Sequence, residues 1–313
     1  MPSGPSQIER EISVREAGAK RASAEVSWAN YHGWDNQRMH THQWLALETS
    51  TDTLSLAVAR GTQTWTHTSA GGALTSTHMI PQTLALLKEA GLALTDLQAV
   101  VFGRGPGAFT GLRTACSVAQ GLAFGADLLV LPIDTLLAVA EEARAANAST
   151  GPAPVTRVLA VMDARMEQVY VAAYEFTPNA SDAADGTNLM QGTWRCVQPP
   201  ELHGPESLHW PADWAQDSFI AAGNAWPVYA GRWPAEFTAP QVMALPTAAA
   251  LLRLAPAAWA AGAAVPPEEA LPLYIRDKVA QTTDERMQIK AQQAEQAAQA
   301  NEANKTASPT ITP

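Results

Sequence analysis

The string best equipped for chemistry is Gly103-Arg104-Gly105-Pro106-Gly107-Ala108-Phe109-Thr110-Gly111-Leu112-Arg113. It leaves an apolar, strand-like run and enters a helical one. Glycines let backbone approach a ligand closely, and the first amides of a helix can face an anion, so a phosphate is the group this string would suit. Tight turns need glycine as well, so the glycine spacing alone leaves the structural reading open. Thr49 and Ser50, just after an apolar run, and Asp163, in Asp163-Ala164-Arg165, complete a candidate nucleotide or phosphate set with Gly105, Gly107 and Arg113. For Asp163 and Arg165 the favoured alternative is a pair across a turn, which adds little stability when exposed.

Metal and nucleophile chemistry find less support. The seven histidines are His32, His40, His42, His67, His78, His203 and His209, and no HxxxH occurs. His40 and His42 lie in a polar arm. His203 and His209 fall in loop-like sequence without helical spacing. The expectation is therefore no metal site and no catalytic residue. There is no GxSxG with a plausible His partner. Cys116 and Cys196 are far apart, without CxxC spacing, and read as reduced thiols of a cytoplasmic protein.

The elements that must position these residues follow from periodicity. Residues 45–68 read as a three-strand meander. A helix is expected over Thr77–Ala90, with Pro81 in its first turn and Gly91 as its stop. Then come a strand at Ala99–Phe102, the glycine loop, a helix at Thr110–Ala123, a strand at Leu128–Leu131 and a helix at Thr135–Ala146. The order βββαβαβα is that of an RNase H-like lobe, here residues 43–148. After the Ser/Thr/Gly/Pro-rich linker 147–154, a second, eroded lobe is expected over 154–280. Its strands are read at Arg157–Met162, Gln168–Phe176, near Thr193–Val197 and at Phe219–Ala222, with a helix at Pro246–Gly262 interrupted by Pro256. Residues 1–42 read as a polar extension that contains Met39: either an arm or a start assigned too early. Residues 281–313 read as a low-complexity tail.

Bulk properties narrow the function. The chain has 313 residues, 47% hydrophobic and 16% charged, with a net charge of −10. A protein that grips nucleic acid unaided normally carries a basic face, so a stand-alone tRNA-binding module is disfavoured. No run of about 18 apolar residues is present, so no membrane span is expected. Nor do the first forty residues show a signal peptide's apolar region.

Four segments, in order, carry a family resemblance. The glycine string is similar to the GPGSFTGLR signature of the TsaB (YeaZ) family, with Ala108 in place of the usual serine. LALETSTDTLSLAVARG at 45–61 resembles its opening hairpin, VMDARMEQVYVAAYE at 161–175 its DAR hairpin, and LPLYIRDKVA at 271–280 its Tyr-x-Arg segment. The likeness covers roughly Trp44 to Ala280.

This resemblance implies an α/β fold of the actin/hexokinase superfamily (ASKHA) with two RNase H-like lobes. It implies a non-catalytic subunit that binds and activates TsaD, the transferase that forms threonylcarbamoyladenosine in tRNAs reading codons that begin with A. TsaD is the expected heterodimer partner and the ATPase TsaE a further one. The isolated chain would pair with itself, and tRNA would be met only through the complex. Its two helices after the meander would form the partner surface, carried over to Met79, Thr83, Leu86, Leu112, Cys116 and Ala119. No cofactor of its own is implied, ATP or ADP with Mg being expected at the complex with TsaD. The catalytic relative's HxxxH would fall at residues 131–138, which hold no histidine. Glu48 stands where the superfamily prefers Asp, one methylene longer, which puts a private Mg-nucleotide site in doubt. The competing readings are an ASKHA-type ATPase and a metallopeptidase-like enzyme.

Overall fold

The computed structural model describes residues 42–72, 75–150, 155–178 and 192–276. The extension, the tail and most of the expected loop at 177–190 lie outside them. The first sheet is built from β1 (Gln43–Glu48), β2 (Thr53–Arg60), β3 (Gln63–Ala70), β4 (Ala99–Gly105) and β5 (Leu129–Asp134), in the order β3-β2-β1-β4-β5. β1 pairs antiparallel with β2 and parallel with β4. Burial on both faces explains why β1 and β4 are nearly continuous apolar runs, whereas β3, at the edge, alternates.

Helices α1 (Thr75–Glu89) and α2 (Phe109–Ala126) cover one face of this sheet. Met79, Leu86 and Leu87 of α1 share a core with Ala115, Ala119 and Ala123 of α2 and with Leu45, Leu56 and Phe102 of the strands. α1 starts two residues earlier than its periodicity suggests. Pro81 therefore lies inside the helix, on its exposed side, where the lost backbone bond can be replaced by water.

α3 (Thr135–Thr150) leads to a second sheet: β6 (Arg157–Asp163), β7 (Val169–Pro178), β8 (Gly192–His203), β9 (Ile220–Gly223) and β10 (Gln241–Met243), in the order β10-β9-β6-β7-β8. β8 runs well past the expected Val197. Pro199 and Pro200 hide this continuation in the sequence, yet an edge strand tolerates them, and its register shifts against β7 there. β10 has only three residues and no sequence signal.

α4 (Ala248–Ala260) is continuous through Pro256. It packs on the other face of the first sheet, against Trp44, Ala46 and Val101, although it was read as part of the second lobe. The chain then continues along the first sheet, where Val265 bridges Val130, and Ala270 is fully buried beside α2.

Candidate partner surface and interlobe cleft

A cleft of about 260 Å³ lies between the two sheets, lined among others by Ser50, Gly107, Asp163, Asn224 and Arg276. Of the candidate nucleotide residues, Ser50, Gly107 and Asp163 reach it; Thr49, Gly105 and Arg113 do not. Thr49 is buried and donates its hydroxyl to the Gly111 carbonyl at 2.8 Å. Arg113 lies on the Phe109 ring, 3.8 Å from its centroid, and donates to the Tyr274 hydroxyl at 3.1 Å.

Close packing explains two of the glycines. A Cβ at Gly107 would lie 2.5 Å from Ser50 Cβ, and one at Gly105 would lie 2.7 Å from the Leu273 carbonyl oxygen. The Ala108 amide, at the N-terminus of α2, donates to the Ser50 carbonyl at 2.7 Å.

Asp163 accepts from the Arg165 amide and from the Tyr229 hydroxyl, both at 2.8 Å. Burial, with the Asp163 carboxylate alongside, pushes the Tyr229 phenol up to about 12. Arg165 reaches across the cleft mouth to Asp52 at 2.7 Å. The Asp-Ala-Arg segment therefore ties a turn and joins the lobes.

The C-terminal segment closes the same region. The Leu273 amide donates to the Arg104 carbonyl at 2.7 Å, the Tyr274 ring packs at a tilt against Phe109, and Arg276 donates to the carbonyls of Ala164 and Arg165. This Tyr-x-Arg strap runs from one lobe to the other.

Glu48 is 1% exposed and does not line the cleft. Its Oε1 accepts from the Ser50 amide at 2.6 Å, while Oε2 has no hydrogen-bond partner among the described residues. A Cβ at position 103 would collide with this carboxyl, so Gly103 is what admits the longer side chain. Burial raises the Glu48 pKa above its usual value, offset in part by the polar groups of Ser50 and Thr135 nearby. Directed at strand and helix backbone, the carboxyl is poorly placed to hold a cation in the cleft.

The residues carried over for a partner surface need correction. Met79, Thr83, Leu86, Leu112, Cys116 and Ala119 are all buried by the chain's own fold. Leu86 is only 4% exposed within the first core, and Cys116 donates its thiol to the Ala270 carbonyl at 3.3 Å. The helical period was right and its phase was not: these residues form the inward stripe.

The outward sides of the same helices present Ile80 and Leu84 on α1, 44% and 51% exposed, and Phe124 on α2, 80% exposed. Ser117, Gly121 and Gly125 lie exposed on α2 at steps of one helical turn. Added Cβ atoms at Gly121 and Gly125 would meet nothing within 4 Å among the described residues. One further group escaped the sequence reading. Glu201, His203 and His209 bring a ligand atom each to within 4.8 Å of one another. Glu201 and His203 alternate on a strand and His209 follows a turn, so helical spacing does not reveal the group.

Two mixed five-stranded sheets with helices packed on them, joined across a cleft, define an α/β protein of the two-lobed, actin-like and RNase H-like class. The sequence model of the family described as "TsaD: tRNA N6-adenosine threonylcarbamoyltransferase" matches residues 62–284. The chain is 31% identical over 238 residues to the tRNA threonylcarbamoyladenosine biosynthesis protein TsaB of Escherichia coli K12, covering 75% of this chain and 95% of that protein. It is 33% identical to the TsaB of Haemophilus influenzae, covering 75% and 94%. A solved structure described as YeaZ from Pseudomonas aeruginosa is 36% identical, covers 74% of this chain and 99% of that one, and has a TM-score of 0.62. The chain belongs to the TsaB (YeaZ) family. Among the described residues no helix is long and apolar enough to cross a membrane.

Proposed function

We propose that this protein takes part in making threonylcarbamoyladenosine in tRNA as a non-catalytic subunit that binds and activates a TsaD-type transferase. The observation that carries this reading is the outward side of α1 and α2. Ile80, Leu84 and Phe124 expose apolar surface in the same helical layer as Gly121 and Gly125. A glycine inside an exposed helix costs about 0.5–1 kcal/mol relative to alanine, and among the described residues no packing contact requires Gly121. Close approach of a second helix supplies the reason. In this reading that helix belongs to a homologous protein offering its own equivalent pair, and the match of this chain to the TsaD family model supports it.

A scaffold role also fits the cleft. The acid at the end of β1 is buried, and the glycine loop rests on Ser50 and Leu273. In this reading the chain has no cofactor of its own for the transfer, and any ATP or ADP with Mg is held at the complex. TsaE joins the pair, tRNA is met only there, and the isolated chain pairs with itself through the same face.

Leu84→Glu tests the proposal. Leu84 is half exposed, so the new carboxylate is hydrated in the free chain but stranded if a partner covers it, at a cost of several kcal/mol. Pairing with the TsaD protein of the same cell should be lost with melting unchanged. Retained pairing in a folded variant would place the contact elsewhere.

A further inference from the structure

The second sheet ends on β8, whose last turns carry Glu201 and His203 at alternate positions, hence on one face of the strand. Pairing with β7 fixes both backbones, with His203 opposite Val169 and Glu201 opposite Val171. A tight turn at Pro205–Ser207 then brings His209 back beside them. On either side of His209 the chain is anchored: Leu208 is buried, and Trp210 packs against Phe219 and Phe237. The three side chains thus stand on backbone that is already held in place.

Both imidazoles aim at a single oxygen. His203 Nε2 lies 2.8 Å, and His209 Nε2 3.3 Å, from Glu201 Oε2. Tetrahedral zinc with bonds of about 2.0–2.1 Å separates its ligand atoms by roughly 3.3 Å, so these spacings suit one ion after small side-chain rotations. Nδ1 of His209 faces the Ser207 carbonyl oxygen at 3.3 Å, which leaves Nε2 directed at Glu201. An Nδ1–H donated to a backbone carbonyl is the usual way a metal-binding histidine is oriented.

We propose that Glu201, His203 and His209 form a site for a divalent cation of the zinc class, with water in the fourth position. The ion ties the turn after β8 to the edge of the second sheet. It is remote in sequence from the α1 and α2 surface, and the proposal stands independently of the partner reading.

The test uses the full-length chain, produced without a histidine tag and stripped with a chelator. Zn²⁺ is titrated by calorimetry and Co²⁺ by visible absorption. The expected result is one tightly bound ion per chain, an intense tetrahedral Co²⁺ spectrum and a melting temperature raised by Zn²⁺. His203→Ala and His209→Ala should each weaken binding about tenfold or more and abolish the thermal shift. Glu201→Gln keeps the shape of the side chain and should lose the Co²⁺ spectrum while remaining folded, which covers the case in which a histidine variant fails to fold. Binding of equal strength in the double histidine variant would overturn the proposal. So would the absence of tight binding in the wild type, the histidines then simply sharing protons with Glu201.

Discussion

Gly121 allows the free chain and the complex to be set against each other. It lies well inside α2, exposed, with open space where a Cβ would stand. In the isolated protein Gly121→Ala removes a helix penalty of about 0.5–1 kcal/mol. For a folded body of this size that raises the melting temperature by roughly 1–4 °C. Gly121→Leu should give a similar gain, since leucine is also a strong helix former and its Cβ meets nothing within 4 Å among the described residues. Against a partner helix the sign reverses. Packed helices stand about 8–10 Å apart, a distance set by the side chains at the contact, and overfilling such a contact costs about 1–3 kcal/mol. Gly121→Leu should therefore weaken pairing with TsaD by about 5- to 150-fold while the free chain melts higher. Scanning calorimetry of the chain alone and titration calorimetry with TsaD give the two numbers. Unchanged affinity for the leucine variant would refute a helix contact at Gly121. A lower melting temperature for the alanine variant would refute the claim that the glycine is unneeded by the monomer.

Two further outcomes concern buried acids. Glu141 accepts from Arg144 at 2.8 and 2.9 Å, from Arg253 at 2.8 Å and from Trp194 at 3.0 Å, so Glu141→Ala leaves the buried Arg144 uncompensated. The variant should lose about 3–5 kcal/mol in urea denaturation, and a loss below about 1 kcal/mol would contradict the geometry. Burial alone would raise the Glu141 pKa, but Arg144 and Arg253 outweigh it and lower it. Its stabilisation is therefore present above the unfolded value near 4.5 and disappears as pH falls through the lowered folded value. Glu48 behaves oppositely: its raised pKa favours the fold below 4.5 and works against it as pH rises toward the folded value. The melting temperature of Glu48→Gln should thus rise relative to wild type as pH increases from 4.5 through the raised folded value, and a constant difference would show that Glu48 does not titrate as a buried acid.

Much of the first lobe was legible because its signals are local. The edge of the meander and the two crossover helices follow from a period of two or 3.6 that reports one buried face, and the central strands from short, nearly continuous apolar runs that report two. The glycine string was legible as a pattern but not as a purpose. That Gly105 faces Leu273 and that Gly103 makes room for Glu48 depends on segments distant in sequence. The phase of α1 and α2 was hidden for a similar reason. Both have apolar residues on more than one side, so composition could not tell the stripe containing Leu86 from the one containing Leu84; only the position of the sheet beneath them separates core from surface. β8 was cut short by its prolines, and only its place at the sheet edge explains why it continues. The same continuation, and the turn after it, brings His209 to His203 and Glu201, a meeting that sequence spacing of six and eight residues does not announce. The sequence by itself determined the kind of elements and their order, since these rest on neighbours along the chain. The tertiary structure decided which faces meet, because burial is a property of what folds over a residue and not of the residue itself.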